Sequence, residues 1–438
     1  MTNIKHSFFC VLTFILLMST AAFAQNTDQD KVASDAKALN IPEGYSKNLH
    51  WNLLLDSIGS NGSTISWKSS KPEYLSNDGK LLKRSPRKGK KIKVTMTATV
   101  ASGTAKTAKT FDVFVAYTDQ ELQGYLFTYF EGSGPRTSDE QIRFGASADA
   151  INWFALNNNQ PIISSEDISG TGGIRDPHIL RGEDEKSFYM VATDMNTAKN
   201  GWAHNPGIVM LQSGDLINWK HSFIDLEKSY PVKFANIQWV WAPQTIYDPA
   251  ADKYLVYFTV KYKDDLKLDF YCAYANTDFS GFENEPKLLF SPKYGAIDGD
   301  IIYKDGTYHF FFKGNTKDEN GKETKNGIRQ AIGKTLQGPW TETFNYLDAY
   351  SDKKIVVEGS SIFKLNQSDS YVLMYDLYTN HRYEFQRSKD LYQFTPTPES
   401  FTKNFYPRHG SVIGITVEEA KRLNEKWGGV PENLLKTK

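Results

Sequence analysis

Four polar residues of this 438-residue chain stand 10 to 13 positions ahead of an aromatic-rich strand: Asp176, Gln244, Asp298 and Glu358. A fifth candidate, His409, lies beyond the last such strand. The strands are Tyr125-Leu-Phe-Thr-Tyr-Phe130, Phe188-Tyr-Met-Val-Ala192, Tyr254-Leu-Val-Tyr-Phe258, Tyr308-His-Phe-Phe-Phe312 and Tyr371-Val-Leu-Met-Tyr375. Three of the slots hold a carboxylate that heads a hydrophobic strand and is followed by Pro or Gly. A carboxylate is costly to bury for structure alone, so three in one register point to shared chemistry. One acid to protonate a leaving oxygen and one carboxylate to activate water are what glycosidic bond cleavage needs, and a third carboxylate can raise the acid's pKa. Taken singly, Asp-Pro and Asp-Gly are also common turn dipeptides.

These residues must be carried by elements that bring them together. The aromatic strands recur at intervals of 54 to 66 residues, which fits one four-stranded blade of a β-propeller plus its loops. Later strands of the units also correspond: Ile142-Arg-Phe-Gly-Ala-Ser-Ala-Asp149, Ile208-Val-Met-Leu-Gln-Ser-Gly-Asp215 and Tyr383-Glu-Phe-Gln-Arg-Ser-Lys-Asp390 each end in a Ser/Asp turn before Trp153, Trp219 and Phe394. Five units imply five blades. The first aromatic strand has no polar-slot strand before it, and the last polar-slot strand, Arg408-His-Gly-Ser-Val-Ile413, has no aromatic strand after it. Each end completes the other, so the final blade is expected to join the two ends of the chain and leave no long edge. Thr416-x-x-Glu419 then reads as a capping box opening a short helix that stops at Gly428-Gly429.

Upstream of residue 119 the chain has another character. Lys5, the apolar run from Phe8 to Met18 and the small-residue pattern Ala22-Phe-Ala24 read as a signal peptide spanning 1–24. The mature protein is therefore expected in the periplasm or secreted. Residues 25–35 read as a polar linker. Between 36 and 118, alternation in Val94, Met96, Ala98 and Val100 and in Phe111, Val113 and Val115, with turn signals between, indicates a small β-sandwich. Ile65-Ser-Trp-Lys through Lys80-Leu-Leu82 and the Thr95–Thr99 strand resemble the atrophied bacterial immunoglobulin-like domains that precede exported carbohydrate enzymes. A basic run from Lys80 to Lys93 reads as a solvated hairpin edge, with attachment to anionic headgroups as the alternative.

Composition narrows the partner. Lys plus Arg equals Asp plus Glu at 51 each, so no global field argues for nucleic acid or an anionic membrane. Aromatics make up 14% of the chain, a supply of flat surfaces of the kind that stack on sugar rings. No stretch after the signal is long and apolar enough for a transmembrane helix. Cys272 is the one cysteine left in the mature chain, so no intramolecular disulfide forms and Cys272 reads as a small buried strand residue.

In order and spacing, Arg175-Asp-Pro-His-Ile, Trp241-Ala-Pro-Gln-Thr-Ile, Ala296-Ile-Asp-Gly, Val357-Glu-Gly-Ser and Arg408-His-Gly-Ser-Val resemble glycoside hydrolase family 43. The resemblance implies an all-β five-bladed propeller over 119–438, preceded by the immunoglobulin-like sandwich, and an inverting mechanism. It implies Asp176 as general base, Asp298 as pKa modulator and orienter, and Glu358 as general acid. Arg382 resembles the family's substrate-contacting arginine. His409 resembles the axial histidine that in many members holds a structural calcium or other ion through water; no cofactor is required. Trp202, Trp239 and Trp241 are candidates for a sugar platform. Where many members carry an acid after Trp-Ala-Pro, this chain carries Gln244. The expected activity is hydrolysis of arabinofuranosyl, xylosyl or galactosyl linkages, terminal or internal, in plant-type polysaccharide or oligosaccharide by a monomer. The alternative is a glycan-binding propeller without catalysis.

Overall fold

The computed structural model describes residues 27–436 apart from 42–45, 48, 50, 51, 54, 86–89, 117–121, 133–135, 266, 315–325, 344, 349–354, 381 and 398–400. The expected signal peptide lies outside the described residues, as do Arg87 and Lys88 of the basic run. No helix among the described residues is long and apolar enough to cross a membrane.

The chain forms two compact units, one gathering residues up to 40, 56–68 and 97–110, the other 41–55, 69–96 and everything from 111 onward. In the first unit, residues 28–38 form a helix, Asp28–Ala38, where a polar linker is expected from the sequence. The reason is a capping box: the Thr27 hydroxyl accepts from the Asp30 amide and the Asp30 carboxylate accepts from the Thr27 amide. Acidic residues in the first turn and Lys37 in the last complement the helix dipole. Asp35 anchors the helix by accepting from the Asn61 and Ser63 amides over 2.9 and 3.1 Å. Polarity here marks a capped surface helix that buries only Val32 and Asp35.

A three-stranded sheet runs in the order Thr64–Ser69, Ile92–Ser102, Ala105–Val115. Val94, Met96, Ala98 and Val100 are fully buried, as their alternation requires. The basic run is partly neutralised, with Lys80 on Asp78 and Lys93 on Asp112.

The second unit carries the propeller. Blade I consists of Ile174–Arg181, Phe188–Asp194, Gly207–Ser213 and Lys220–Asp225. Blade II comprises Ile237–Asp248, Lys253–Tyr262, Asp269–Tyr274 and Lys287–Phe290; blade III, Ala296–Lys304, Thr307–Gly314, Gly327–Gly333 and Thr341–Glu342. Blade IV has Glu358–Lys364, Tyr371–Leu377, Arg382–Ser388 and Thr395–Pro396. Blade V takes its inner strand, Ser411–Ile415, from the chain's end and the next three, Gly124–Tyr129, Arg143–Ser147 and Asn152–Ala155, from near its start. Ser411 pairs with Thr128 and Ile415 with Gly124, antiparallel, so the ring closes as its end segments require. The five first-named strands touch in cyclic order, which makes them the inner wall.

Each aromatic strand is the second strand of its blade, and its side chains fill the space between sheets: Phe127, Met190, Phe258, Phe310 and Leu373 are all fully buried. Each contributes roughly 2 to 3 kcal/mol by leaving water. Cys272 is one of these core residues. The Ser/Asp turns recur as one motif. Asp149, Asp215 and Asp390 each bond the serine hydroxyl two residues earlier over 3.0 Å and accept from two following amides. The residue after each aspartate has φ between 62 and 67°.

Helix Val417–Trp427 follows the closing strand, capped by Thr416 and Glu419 and ended by Gly428 at φ 67°. Its Ala420 and Leu423 join Phe144, Met190 and Val209 in one buried cluster. Arg181 of blade I grips Glu419 with two nitrogens, at 2.9 and 2.6 Å, and donates to the Gly414 carbonyl of blade V over 2.8 Å. The helix therefore clamps the seam where the ring closes.

Candidate active site

The inner strands share one irregularity. In blades I to IV the pairing with the second strand skips a step, so that two residues bulge: Asp176-Pro177, Ala242-Pro243, Asp298-Gly299 and Gly359-Ser360. Blade V does the same with His409-Gly410, because the Arg408 amide bonds Phe130 while Ser411 already pairs with Thr128. The first bulged residue has positive φ in four blades: Asp176 (50°), Ala242 (45°), Asp298 (55°) and Gly359 (64°). A bulge turns a side chain out of the ladder, and strain held at such a position marks function. Aspartate tolerates the left-handed region better than most residues, which suits two of these sites.

The register corrects part of the sequence expectation. Gln244 is not the counterpart of Asp176 and Asp298; Ala242 is. Gln244 stands two residues deeper, level with His178, Asp300, Ser361 and Ser411, and is buried against the Tyr257 hydroxyl. That deeper layer staples neighbouring blades. The Thr245 amide donates to His178 over 3.3 Å, Ile301 to the Tyr257 hydroxyl over 2.9 Å, Ile362 to Asp300 over 2.8 Å and Ile179 to Ser411 over 2.7 Å. Glu358 is likewise displaced by one position and matches Arg175, Trp241, Ile297 and Arg408, immediately before the bulge.

His409 gathers the acids. Its Nδ1 lies 3.4 Å from Asp176 Oδ1 and 3.7 Å from Asp298 Oδ1. Asp176 Oδ2 accepts from the Thr193 hydroxyl over 2.9 Å, and Asp298 Oδ2 accepts from the Gly359 amide over 2.8 Å. Glu358 has both oxygens engaged: Oε1 with Arg408 Nη2 at 2.6 Å and Oε2 with Lys313 Nζ at 3.0 Å. Arg408 Nε also bonds Asp376. Lys313 and Arg408 both face the Tyr378 ring, 5.3 and 5.8 Å from its centroid.

The cluster separates the acids electrostatically. Burial pushes Asp176 up, but the adjacent His409 ring, Arg175 and Thr193 outweigh it and hold the carboxyl below its ordinary value. Asp298 is raised, first by burial and then by the charges of Glu358 and Asp176, against the pull of His409 and Lys313. For Glu358, burial is outweighed by Lys313 and Arg408, and its carboxyl is lowered. His409 is raised to about 9, burial being overcome by Asp298, Asp176 and Glu358, so at neutral pH it is an imidazolium between carboxylates. One carboxyl held low and one held high thus stand on either side of a single imidazolium, the kind of separation that assigns acid and base roles. Glu358, the general acid that the family resemblance implies, is thus the carboxyl that its two cations hold below the ordinary value.

The remaining candidates divide. Trp241 stacks on Trp239, centroids 4.3 Å apart, and meets Trp202 edge-on at 6.1 Å. Trp202 is 58% exposed and lies over the Arg175 guanidinium, which is itself fixed by Glu140 at 2.8 Å. The three rings cluster beside Arg175, the residue before Asp176. Arg382 is not brought to the acids: its exposed side chain pairs with Glu384 of its own strand. The residues that do reach Glu358, Lys313 and Arg408, escaped the sequence reading, although Arg408 adjoins His409 in the same motif. For an ion at His409, the donors present do not form an inner shell: Nδ1 faces two carboxylates, and among the described residues no group of three His, Cys, Asp or Glu side chains could hold a metal.

A cavity of about 740 Å³ lies along the distal half of the inner strands, lined by His178, Thr245, Asp300, Tyr303, Ile362 and Val412 among others. The acids stand at the opposite, leading ends of these strands, so the chemistry is not in this cavity.

Residues 120–421 match the family described as a probable glycosyl hydrolase domain, related to family 43, and residues 32–118 match the atrophied bacterial Ig domain. An alpha-L-arabinofuranosidase of Bifidobacterium longum subsp. longum is 26% identical over 399 residues, 79% of this chain and 36% of that protein. The chain thus spans about a third of the length of that curated relative. A thermostable family-43 glycoside hydrolase aligns with a TM-score of 0.45 and 12% identity, over 72% of this chain and 92% of its own. An endo-arabinase of Bacteroides thetaiotaomicron aligns with a TM-score of 0.44 and 16% identity, over 66% of this chain and 94% of its own.

Proposed function

The chain belongs to the family-43-related glycosyl hydrolases, and from that membership we propose that it is an exported glycosidase that cleaves arabinofuranosyl, xylosyl or galactosyl linkages with inversion. The observation that carries this reading is the meeting of Asp176, Asp298 and Glu358 around His409 at the leading ends of inner strands from three blades. In the proposed reaction Asp176 takes a proton from water as that water attacks the anomeric carbon. Glu358 gives a proton to the departing glycosidic oxygen. Asp298, held by the Gly359 amide and raised by burial and by the charges of Glu358 and Asp176, supports the charge pattern of both. Inversion requires the base and acid to stand about 6.5 to 9.5 Å apart, with room for water between them. The Trp202, Trp239 and Trp241 rings offer a stacking face for a sugar. Arabinofuranosides are the first substrates to try, because the curated relative is an arabinofuranosidase. An ion held through water at His409 has no part in these steps.

One observation favours the second reading, a glycan-binding propeller without catalysis: both oxygens of Glu358 are held by cations. A panel of nitrophenyl arabinofuranosides, xylosides and galactosides, with arabinan, xylan and galactan, separates the two. Hydrolysis by the wild type and its loss in Glu358→Gln support the enzyme, and proton NMR of the first-formed anomer reads inversion directly. Binding of a polysaccharide with no turnover of any substrate favours the second reading. Cleavage after Ala24 on secretion, read by N-terminal sequencing of exported protein, tests export.

A further inference from the structure

Lys313 and Asp376 hold the same register position in successive blades. Lys313 pairs with Ile297 and Asp376 with Glu358, each partner being the residue immediately before its blade's bulge. From there each side chain reaches the inner strand of the following blade: Lys313 to Glu358 at 3.0 Å, and Asp376 to Arg408. Thr193, level with Arg175 in blade I, makes the corresponding reach by accepting from the Ala242 amide over 2.8 Å. With the Arg408 to Glu358 bond at 2.6 Å, four charges alternate in sign along one path: Lys313, Glu358, Arg408, Asp376. The Asp376 side chain is 1% exposed, whereas Glu358 and Arg408 are each 20% exposed. Asp376 is therefore a buried carboxylate that the proposed reaction does not use.

We propose that Asp376 is a positioning residue for Glu358: it takes the Nε edge of Arg408, so that the guanidinium is shared between two carboxylates and offers Glu358 only one Nη. This rests on the reading of Glu358 as the proton donor. A guanidinium is a rigid fork whose side-on, two-bond grip fixes a carboxylate in its ionised form. With Nε committed to Asp376, the Nε/Nη grip is closed to Glu358, and its hold on a proton is weakened less than a full bidentate pair would impose. The charged and titratable groups facing Glu358 are Lys313, Arg408, Asp176, Asp298, Asp376 and His409. Those facing Asp376 are Arg408, Glu358, His409, Tyr383 and Lys403. Burial first, and Glu358 second, push Asp376 up to about 7 against Arg408, so the sharing itself weakens as the pH falls below neutrality.

The test is Asp376→Asn, read in two ways. Carbon-13 carboxyl titration of glutamate-labelled protein, with Glu358 assigned by Glu358→Gln, follows the donor directly and needs no substrate. The expected result is a Glu358 midpoint about one unit lower in Asp376→Asn, with a corresponding tenfold fall in kcat above that midpoint and little change in KM. Asp376→Glu is expected to restore most of both. An unchanged Glu358 midpoint and an unchanged pH profile would overturn the proposal. If Asp376→Asn does not fold, Arg408→Lys keeps the charge but cannot span two carboxylates; a Glu358 midpoint equal to wild type there would equally overturn it. A wild type inert on every sugar would remove the hydrolase reading, while the titration would still decide whether Asp376 controls Glu358.

Discussion

The Gly359 amide donates to Asp298 Oδ2 over 2.8 Å, a bond that crosses from blade IV to blade III and ties one acid to the residue that follows another. Gly359 makes this bond at φ 64°, with the His409 side chain so close that an added Cβ would stand 2.9 Å from His409 Cβ. Gly359→Ala is therefore expected to strain the backbone and displace His409 together. The predicted cost is about 1 to 3 kcal/mol of stability and at least a tenfold loss of activity. Urea unfolding beside kinetics checks it, and a variant as stable and active as wild type would show that neither the φ nor the contact matters.

Asp176→Asn and Glu358→Gln are each expected to lower kcat by about 10² to 10⁴ while leaving the fold intact, as removal of a positioned acid or base does. Asp298→Asn should instead act mainly on the pH profile, because its carboxyl acts on Glu358, Asp176 and His409 through charge. Circular dichroism with initial rates distinguishes these outcomes. A Glu358→Gln protein with wild-type kcat would remove Glu358 from the mechanism.

Lys313 lowers Glu358 through a 3.0 Å ion pair. The donor form of Glu358 is the protonated one, so the rate should be highest on the acid side of neutrality and fall as pH rises. Replacing Lys313 with Met removes the cation, raises Glu358 and should move the basic limb of kcat/KM to higher pH. A limb that stays in place or moves down would mean that another group sets it.

Four groups with raised pKa give stability the same pH slope above about pH 4. Asp300 and Asp376 are raised to about 7 and Glu183 to about 8, chiefly by burial. His409 is raised to about 9 by its carboxylate neighbours despite burial. Each has a folded pKa above its unfolded value, so its contribution is complete below the unfolded pKa and is lost as pH climbs through the folded one. The window runs from about 4 to 8 for the three acids and from about 6.5 to 9 for His409. Urea midpoints should therefore decline from pH 7 to pH 9, above the range in which His178 and His309, lowered by burial, give the opposite slope; a midpoint that rises from pH 7 to pH 9 would contradict the assignment.

Trp202 is exposed, edge-on to Trp241 and over Arg175, so its removal should not unfold the blade. Trp202→Ala is expected to raise KM about tenfold with kcat little changed, the signature of lost uniform binding. An unaltered KM across the sugar panel would place the stacking face elsewhere.

Much of the architecture is legible in the residues because it is local and repeated. Period-2 aromatic strands, Ser/Asp turns and the Thr416/Glu419 capping box each depend on neighbours within a few positions, so reading along the chain suffices. The unpaired end segments foretell the closing of Ser411–Ile415 on Gly124–Tyr129, since an inner strand without a partner must find one. The helix Asp28–Ala38 was obscured by its polarity, because a surface helix held by a cap and one buried aspartate carries little apolar periodicity.

The site is another matter. That Asp176, Asp298 and Glu358 belong together follows from their order in the repeat, and the sequence by itself determined that much, along with five blades and their closure. Which residue of each inner strand turns toward the cluster was decided by a two-residue bulge, which moves Gln244 into the stapling layer and makes Ala242 the true counterpart of Asp176. The partners of Glu358 were decided by the ring alone: Lys313 lies 45 residues before it and Arg408 50 after it, on neighbouring blades. Arg382, closer in sequence, turns outward to Glu384. Periodicity records what a residue does within its own blade; the charge a carboxylate carries depends on side chains that only the closed circle brings within 3 Å of it.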